Sequence, residues 1–509
     1  MINKTRYNNA NRKLTRRDRL RQNFAMDLPL QQRVSLPKWL VRNAIVVFFI
    51  AQFVCWGFFG YIPNLDMALL SGLSVVLFFG FGQIMAKKWS HVNEKRFLQK
   101  VFISGLVIRL LWMLYMFFIF NPYYFENRYG PSADVEWFMD FGQGWAEWVL
   151  GNSQFTLTQM IDFYNSAVDD IGYPLWLGVI YILTGGTSNV FIPMVIKCII
   201  SSYCAICIYR IARRHFGVAT ARIAALFVCL NVNMIYWSAS MMKEAEMVFI
   251  CCFVVDMLDE ILSSGNKLTL RAILPSVLLL VLLFFMRAVL GIVLCLAIVT
   301  HLIFATNRVI STNKKILLGF LFALLIFTSL GERLFETSKE YLDLVQNDSQ
   351  KTNMEWRSTR EGGNSFAKYA SASVFAPLIF TIPFPTFNVA NESQILQLQL
   401  AGGYFIKNVL SVFVLWVMFV LLISGKWRQH VFILAYTCAY LIVLIFSGYA
   451  QSGRFHMPIW PFLMLFAAHG LQYARQNRIL IKSYKYALLV EIVICLVWNW
   501  FKLKGRGMI

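Results

Sequence analysis

Asp134 is the residue of this sequence best placed for acid–base chemistry. It opens a polar and aromatic run, 134–150, in which Phe138, Phe141 and Trp145 recur at helical spacing. A carboxylate at the start of such a helix can take the proton of an attacking hydroxyl as a general base. The same position suits an N-cap, because Asp accepts hydrogen bonds from the free N–H groups of a first helical turn. The residues alone leave both interpretations open.

Lys243 and Glu244 form a second charged group, in the turn before an apolar segment that begins at residue 245. Ionisable residues at the end of a membrane segment often lie at the interface with water, whereas those that face a bundle interior are functional candidates. Helical spacing would place Ser240 and Glu244 on one face. An interfacial position and a position in a pocket are therefore both compatible with the sequence.

Two arginines indicate a site for an anion. Arg287 interrupts the apolar stretch 278–299, where a buried guanidinium requires a carboxylate or phosphate partner unless it extends to the interface. Arg454 stands before another apolar segment, with His456 two residues later. The guanidinium fork matches two phosphate oxygens, which a lysine ammonium cannot do.

The elements that must position these residues are long apolar segments. Of 509 residues 58% are hydrophobic and 14% are charged, against about 25% charged in soluble domains, and the mean hydropathy is +0.58. About 20 apolar residues let a helix cross the hydrocarbon core with its backbone groups satisfied. The sequence therefore predicts an all-α polytopic membrane protein with about 13 transmembrane helices. The predicted spans are 39–61, 66–86, 101–120, 189–209, 218–236, 245–261, 272–287, 289–306, 316–330, 404–424, 431–447, 457–474 and 486–501.

The distribution of positive charge predicts the orientation of these helices. The net charge is +21, and Lys and Arg cluster in the N-terminal tail and in short loops, which is the pattern of cytoplasmic loops rather than of a nucleic-acid site. With the N-terminus in the cytoplasm, the acidic loop 121–188 lies outside. The later basic loops fall inside only if the apolar stretch 171–183 does not cross the membrane. We therefore predict that 171–183 stays on the outer side, beside an amphipathic helix at 134–150 on the outer leaflet.

This topology divides the chain into four regions. They are a basic cytoplasmic tail at 1–38, a transmembrane catalytic module at 39–330 that includes the loop 121–188, a large outer loop at 331–403, and C-terminal transmembrane helices at 404–509. A loop as long as 331–403 is usually functional. The side on which the chain ends stays open, because Lys502 and Lys504 fall on the side that disfavours positive charge.

Several motifs, in chain order, resemble those of the GT-C glycosyltransferases, which are membrane enzymes. Asp134-xxx-Phe138-xxx-Gly142 followed by Gly151 is similar to the Asp-xxx-Tyr-xxx-Ala…Gly opening of their first outer loop. The segment 171–185 is similar to a Tyr-Pro-Pro-Leu segment that does not span the membrane in that family. Further similarities lie at Ala212-Arg-Arg-His-Phe-Gly217, at 238–244, at Phe285-Met-Arg287 and at Gly453-Arg-Phe-His-Met-Pro-Ile-Trp-Pro461.

The resemblance implies a hexosyl- or pentosyltransferase of the bacterial mannosyltransferase or aminoarabinose transferase type. Such an enzyme moves a sugar from a polyprenyl phosphate or pyrophosphate donor to a lipid, glycan or protein acceptor. The reaction takes place at the outer face of the cytoplasmic membrane, whose lipids surround the enzyme. No nucleic acid is expected as a partner. Asp134 would be the catalytic base, and substrate would be bound by Lys243, Glu244, Arg287, Arg454 and His456. Asp140 and Glu244 could hold a divalent cation, Mg or Mn, through oxygen ligands, but a reaction without any cofactor is equally compatible with the sequence.

Two other functions remain open at this stage. An O-antigen-type polymerase or ligase would also have many spans and a large outer loop with essential arginines, here Arg333, Arg357 and Arg360. A transporter or flippase for lipid-linked sugars would favour inverted repeats and polar residues at mid-membrane. The sequence shows no repeat, and its polar residues lie at the ends of the spans.

Overall fold

A computed structural model describes residues 33–60, 65–127, 129, 133–152, 159, 171–186, 188–264, 270–304, 349–359, 363–369, 371–388, 395–447 and 449–509. Across these ranges it contains helices and no strand, so the all-α prediction is confirmed. The predicted span 316–330, Arg333 and Arg360 lie outside the described residues.

Fifteen longer helices carry the described part of the chain. They are α1 Lys38–Phe59, α2 Leu65–Lys88, α3 Glu94–Phe125, α4 Ala133–Val149, α5 Gly172–Leu183, α6 Phe191–Phe216, α7 Val218–Cys229, α8 Val232–Ser238, α9 Glu244–Ser264, α10 Leu270–Phe304, α11 Ser349–Thr359, α12 Ile395–Ser424, α13 Val431–Phe446, α14 Trp460–Ala474 and α15 Arg478–Lys504. The helices α2 and α3 each contain a π turn, at Leu77–Phe81 and Met116–Phe120.

Seven of these helices are long and apolar enough to cross a membrane, and an eighth span results if α7 and α8, which meet at 47°, are taken together. The chain is thus a multi-span membrane protein, but the predicted number of thirteen spans is not confirmed. Three of the predicted spans correspond to α9, α14 and α15, which are not among these candidates; α14 is only 15 residues long.

The long helix α10 is a hairpin with Arg287 at its tip. Arg287 has an extended backbone (φ −169°, ψ 101°) that separates two helical halves. An ideal Cβ on Gly291 would lie 2.7 Å from the ring of Phe284, whereas seven residues of a straight helix rise about 10 Å. At the far end of the second half, Phe304 packs against Trp427. The two apolar stretches that flank Arg287 therefore run in opposite directions, as the sequence predicted.

Basic loops gather at one end of the bundle, called here the basic end. Arg222 donates hydrogen bonds to the carbonyls of Trp89 (3.0 Å) and Ser90 (2.6 Å), and Arg214 forms ion pairs with Asp256 and Asp259, both at 2.7 Å. The helix α3 starts at the basic end, and α9 finishes there. The end of α3, which leads to Asp134, and the start of α9 at Glu244 therefore lie at the opposite end. The charge pattern therefore correctly predicted which of these loops lie at the same end of the bundle.

The helices α4 and α5 pack against each other at the end of the bundle opposite the basic end. An ideal Cβ on Gly178 would lie 2.6 Å from the Trp145 ring, and one on Gly142 would lie 2.9 Å from Leu177, so glycine at both positions permits the close approach. Twelve residues of α5 extend only about 18 Å, which is too short for a hydrocarbon core of about 30 Å. The length of α5 agrees with the prediction that 171–183 does not cross.

Candidate active site

Arg454 joins the first turns of two helices that are far apart in sequence. Its Nη1 donates to Asp134 Oδ2 at 2.9 Å, and its Nε lies 3.1 Å from Glu244 Oε1 in an ion pair without hydrogen-bond alignment. The Glu244 side chain is 1% exposed, whereas the Asp134 side chain is 51% exposed. Burial alone would lower the pKa of Arg454, but Glu244 and Asp134 raise it above its ordinary value. The guanidinium thus carries a permanent charge beside an accessible carboxylate.

The helix α4 begins at Ala133, so Asp134 lies within its first turn rather than before it. A carboxylate there is stabilised by the helix dipole, and half of its side chain stays exposed for contact with another molecule. Asp134 is thus not the N-cap residue itself, and its part in catalysis stays a prediction.

Lys243 is buried among protein groups and does not line the cavity described below, so its predicted contact with substrate stays a prediction. Its side chain is 4% exposed, its Nζ donates to the carbonyl of Met286 at 2.9 Å, and it lies 5.9 Å from the centre of the Phe138 ring. The ammonium therefore fastens the turn before α9 to the tip of the α10 hairpin. Arg287, which follows Met286, and Glu244, which follows Lys243, therefore both lie next to this contact.

Arg287 faces the ring of Phe455, with 4.2 Å between the guanidinium carbon and the ring centre. Arg454 lies over the same ring at 5.1 Å, and the other neighbour of Phe455 is Tyr449, stacked at 4.4 Å. Within the described residues the Arg287 guanidinium makes no hydrogen bond or ion pair. Its five N–H donors are thus available to an anion.

His456 is buried and does not line the cavity described below. Its Nδ1 lies 3.1 Å from Lys407 Nζ, and its Nε2 lies 2.7 Å from the carbonyl of Ala450. Burial and the nearby Lys407 charge hold the pKa of His456 well below its usual value, so the imidazole is neutral. A neutral ring that accepts from Lys407 and donates to Ala450 holds the segment that carries Arg454. Its predicted contact with substrate stays a prediction.

A cavity of about 980 Å³ opens beside Asp134. Ten aromatic side chains line it, and Asp134 is the one acidic side chain among the described residues of its wall. The basic residues of the wall are Arg287, Arg357, Arg454, Lys502 and Arg506. A wall with this composition suits a molecule that has both an anionic group and a large apolar or sugar surface.

Asp140 and Glu244, the predicted ligands of a divalent cation, lie on α4 and at the start of α9. Asp140 is exposed on α4 and does not line the cavity, and the described residues contain no group of three or more His, Cys, Asp or Glu side chains placed to hold a metal ion. Glu244 Oε2 is buried and accepts no hydrogen bond within the same ranges. Metal dependence stays a prediction.

Sequence reasoning missed Lys197, a fully buried cation on α6 beneath the site. Its Nζ lies 3.4 Å from Glu246 Oε2 and 3.1 Å from the hydroxyl of Tyr173, and it also donates to the carbonyl of Met242. These contacts connect α5, α6 and the start of α9. The available signal was a lone lysine within an apolar run, Ile192–Ile200, since such a residue needs a partner inside the bundle.

Comparison with known proteins gives little sequence similarity. No family model matches the chain, and no curated protein matches it. A solved structure with a related arrangement is the archaeal oligosaccharyltransferase AglB from Archaeoglobus fulgidus, in complex with an inhibitory peptide and a dolichol-phosphate. The identity is 13% and the TM-score 0.40, over 80% of this chain and 55% of that chain, so this chain spans about half the length of that protein.

Proposed function

We propose that this protein is a membrane glycosyltransferase of the GT-C type. It moves a sugar from a polyprenyl phosphate or pyrophosphate donor to a lipid, glycan or protein acceptor. The observation that carries the proposal is the half-exposed carboxylate of Asp134, held 2.9 Å from Arg454 in a cavity walled by cations and aromatic rings. The mannosyltransferase or aminoarabinose transferase subtype belongs to the same proposal.

Each reactive group of the transfer has a counterpart in the cavity. The acceptor hydroxyl attacks the anomeric carbon, its oxygen forms the new glycosidic bond, and its proton passes to Asp134. The bond between the anomeric carbon and the phosphate oxygen breaks, and the phosphate leaves with the electron pair and one more negative charge. Arg287 and Arg454 stabilise that charge, because both guanidinium groups lie near the ring of Phe455 and both residues line the cavity.

The aromatic wall suits the remaining parts of such substrates. Sugar rings present apolar C–H faces to aromatic side chains, and the polyprenyl chain is itself apolar. Trp137, Trp237 and Trp356 line the cavity together with Phe138 and Tyr404. A donor can therefore place its phosphate at the arginines while its lipid chain extends towards the bilayer, where membrane lipids surround the helices.

We place the reaction at the outer face of the cytoplasmic membrane. The basic loops lie at the end of the bundle opposite Asp134, and the positive-inside rule assigns basic loops to the cytoplasm. In the proposed orientation the N-terminus lies in the cytoplasm and the cavity lies on the outer side, where a flipped lipid-linked sugar is accessible.

The decisive experiment measures sugar transfer by the purified full chain from a panel of polyprenyl phosphate and pyrophosphate sugars. We expect Asp134→Asn to lower kcat by about 10²–10⁴-fold, as for loss of a general base, and Arg287→Ala to lower it by about 10²–10³-fold. The matched control is Glu136→Gln, on the same helix but exposed and outside the cavity wall, which should leave kcat unchanged.

Full activity of Asp134→Asn would contradict this assignment and favour a second candidate, an O-antigen-type polymerase or ligase. One observation supports that candidate: Arg357, from the large outer loop, lines the cavity and lies 5.3 Å from the ring of Tyr449. Movement of lipid-linked sugar across proteoliposomes without any transfer would instead indicate a transporter.

A further inference from the structure

Two basic residues at the end of α15, Lys502 and Arg506, reach the cavity that holds Asp134. Lys502 Nζ donates to Thr386 Oγ1 at 2.9 Å and lies 5.2 Å from the centre of the Trp498 ring. Arg506 Nη1 donates to the carbonyl of Lys502 at 3.0 Å. Both residues line the wall of the cavity, beside Thr386.

Their position conflicts with the charge pattern of the rest of the chain. The helix α15 begins next to Arg475, which donates to the carbonyl of Ser35 at the basic end, and it ends at the cavity on the opposite side. Positive residues are disfavoured there by the positive-inside rule, and two like charges four residues apart repel each other. Cations at a helix C-terminus interact favourably with the helix dipole, but the exposed Lys504 in the same turn already provides that.

The outer loop is fitted closely onto this helix end. Ser365 N donates to the carbonyl of Gly505 at 2.8 Å, and Asn364 Nδ2 donates to the carbonyl of Phe501 at 3.3 Å. An ideal Cβ on Gly505 would lie only 1.9 Å from Asn364 Oδ1, so this contact requires glycine. Asn364 N also donates to the carbonyl of Arg357 at 3.2 Å, which ties a third cation of the wall to the same place.

We propose that the Lys502, Arg506 and Arg357 end of the cavity binds a second phosphate group, separate from the phosphate at Arg287 and Arg454. The proposal rests on the proposed function and specifies its substrates. Arg454 pairs with Asp134 and Glu244. Arg287 lies over Phe455 and Arg357 over Tyr449, and these two rings stack at 4.4 Å. The second phosphate is either the outer phosphate of a diphosphate-linked donor or the head group of a phosphorylated lipid acceptor.

The test measures equilibrium binding to the purified full chain in detergent, followed by tryptophan fluorescence. The probes are polyprenyl monophosphate, polyprenyl diphosphate and, in the presence of saturating polyprenyl monophosphate, phosphatidic acid. The variants are the pair Lys502→Gln with Arg506→Gln, and Lys504→Gln as the matched control from the same helix end. Thermal unfolding of each variant is recorded in parallel to show that the fold is retained.

A diphosphate donor is indicated if the double variant binds polyprenyl diphosphate about tenfold or more weakly while its affinity for the monophosphate changes less than about threefold. A phosphorylated acceptor is indicated if only phosphatidic acid binding is lost to that extent. The proposal is wrong if the double variant binds all three probes as Lys504→Gln does. Because none of these measurements needs sugar transfer, an inactive but binding protein would refute the proposed function and leave the subsite standing.

Discussion

Replacing Arg454 by methionine tests whether the candidate site is held together by its ion pairs. The change keeps most of the side-chain volume but leaves Glu244, which is 1% exposed, with an unpaired buried charge. Removal of one partner of a fully buried pair costs about 3–5 kcal/mol. Since a quarter of the Arg454 side chain is exposed, we expect a loss near the lower limit, about 3 kcal/mol.

The two carboxylates should differ in the same measurement. Glu244→Gln removes the charge from the buried partner and should cost about 1–2 kcal/mol. Asp134→Asn affects a pair whose carboxylate is 51% exposed and should cost at most about 1 kcal/mol. Combining Arg454→Met with Glu244→Gln should cost about 1–3 kcal/mol less than the sum of the single changes, because the stranded charge disappears.

Denaturant unfolding of the purified chain in a single detergent, followed by far-UV circular dichroism, provides the free energies of unfolding. The reasoning is refuted if Arg454→Met destabilises the protein less than Glu244→Gln does. It is equally refuted if the two changes add within about 0.5 kcal/mol, which would mean that the partners do not interact.

Two further predictions concern the supports of the site. The pKa of His456 is lowered in the folded protein, so in acid the unfolded chain binds a proton that the folded protein does not. This contribution to stability is therefore complete above about pH 6.5. Below that pH the free energy of unfolding falls by up to about 1.4 kcal/mol per pH unit. Thermal unfolding of His456→Gln from pH 5 to pH 8 should show a flatter acid limb, and an unchanged limb would contradict the assignment. Gly178→Ala drives a methyl group against Trp145 and should lower stability by about 1–3 kcal/mol together with transfer activity, whereas Gly57→Ala, with open space around it, should do neither. Equal effects of the two glycine changes would show that the close approach of α4 and α5 is not needed.

The sequence predicted the fold class well and the connections within the site poorly. Long apolar segments and the placement of basic loops depend on transfer free energies, which are local properties of the chain, so the helical bundle and the reversal at Arg287 could be predicted. The number of spans stays a prediction, because 316–330 lies outside the described residues and α10 counts as one candidate although it reverses at Arg287.

The site depends on contacts between distant segments, which composition cannot supply. Asp134 and Arg454 were identified separately, yet nothing in the sequence showed that residues 320 positions apart form an ion pair. His456 was grouped with Arg454 by proximity in sequence, but its ring turns into the protein. Lys502 was noticed only as a violation of the charge rule, because its partner Thr386 lies in the outer loop.

The double ion pair of Arg454 has a consequence for the order in which substrates bind. Arg454 Nη1 donates to one oxygen of Asp134, Oδ2, and the positive charge beside the carboxylate makes it a weaker base than it would be alone. A donor phosphate competes with Asp134 for Nη1 and thereby frees the carboxylate. We therefore expect a sequential mechanism in which the donor binds first, with slow hydrolysis of the donor when no acceptor is bound.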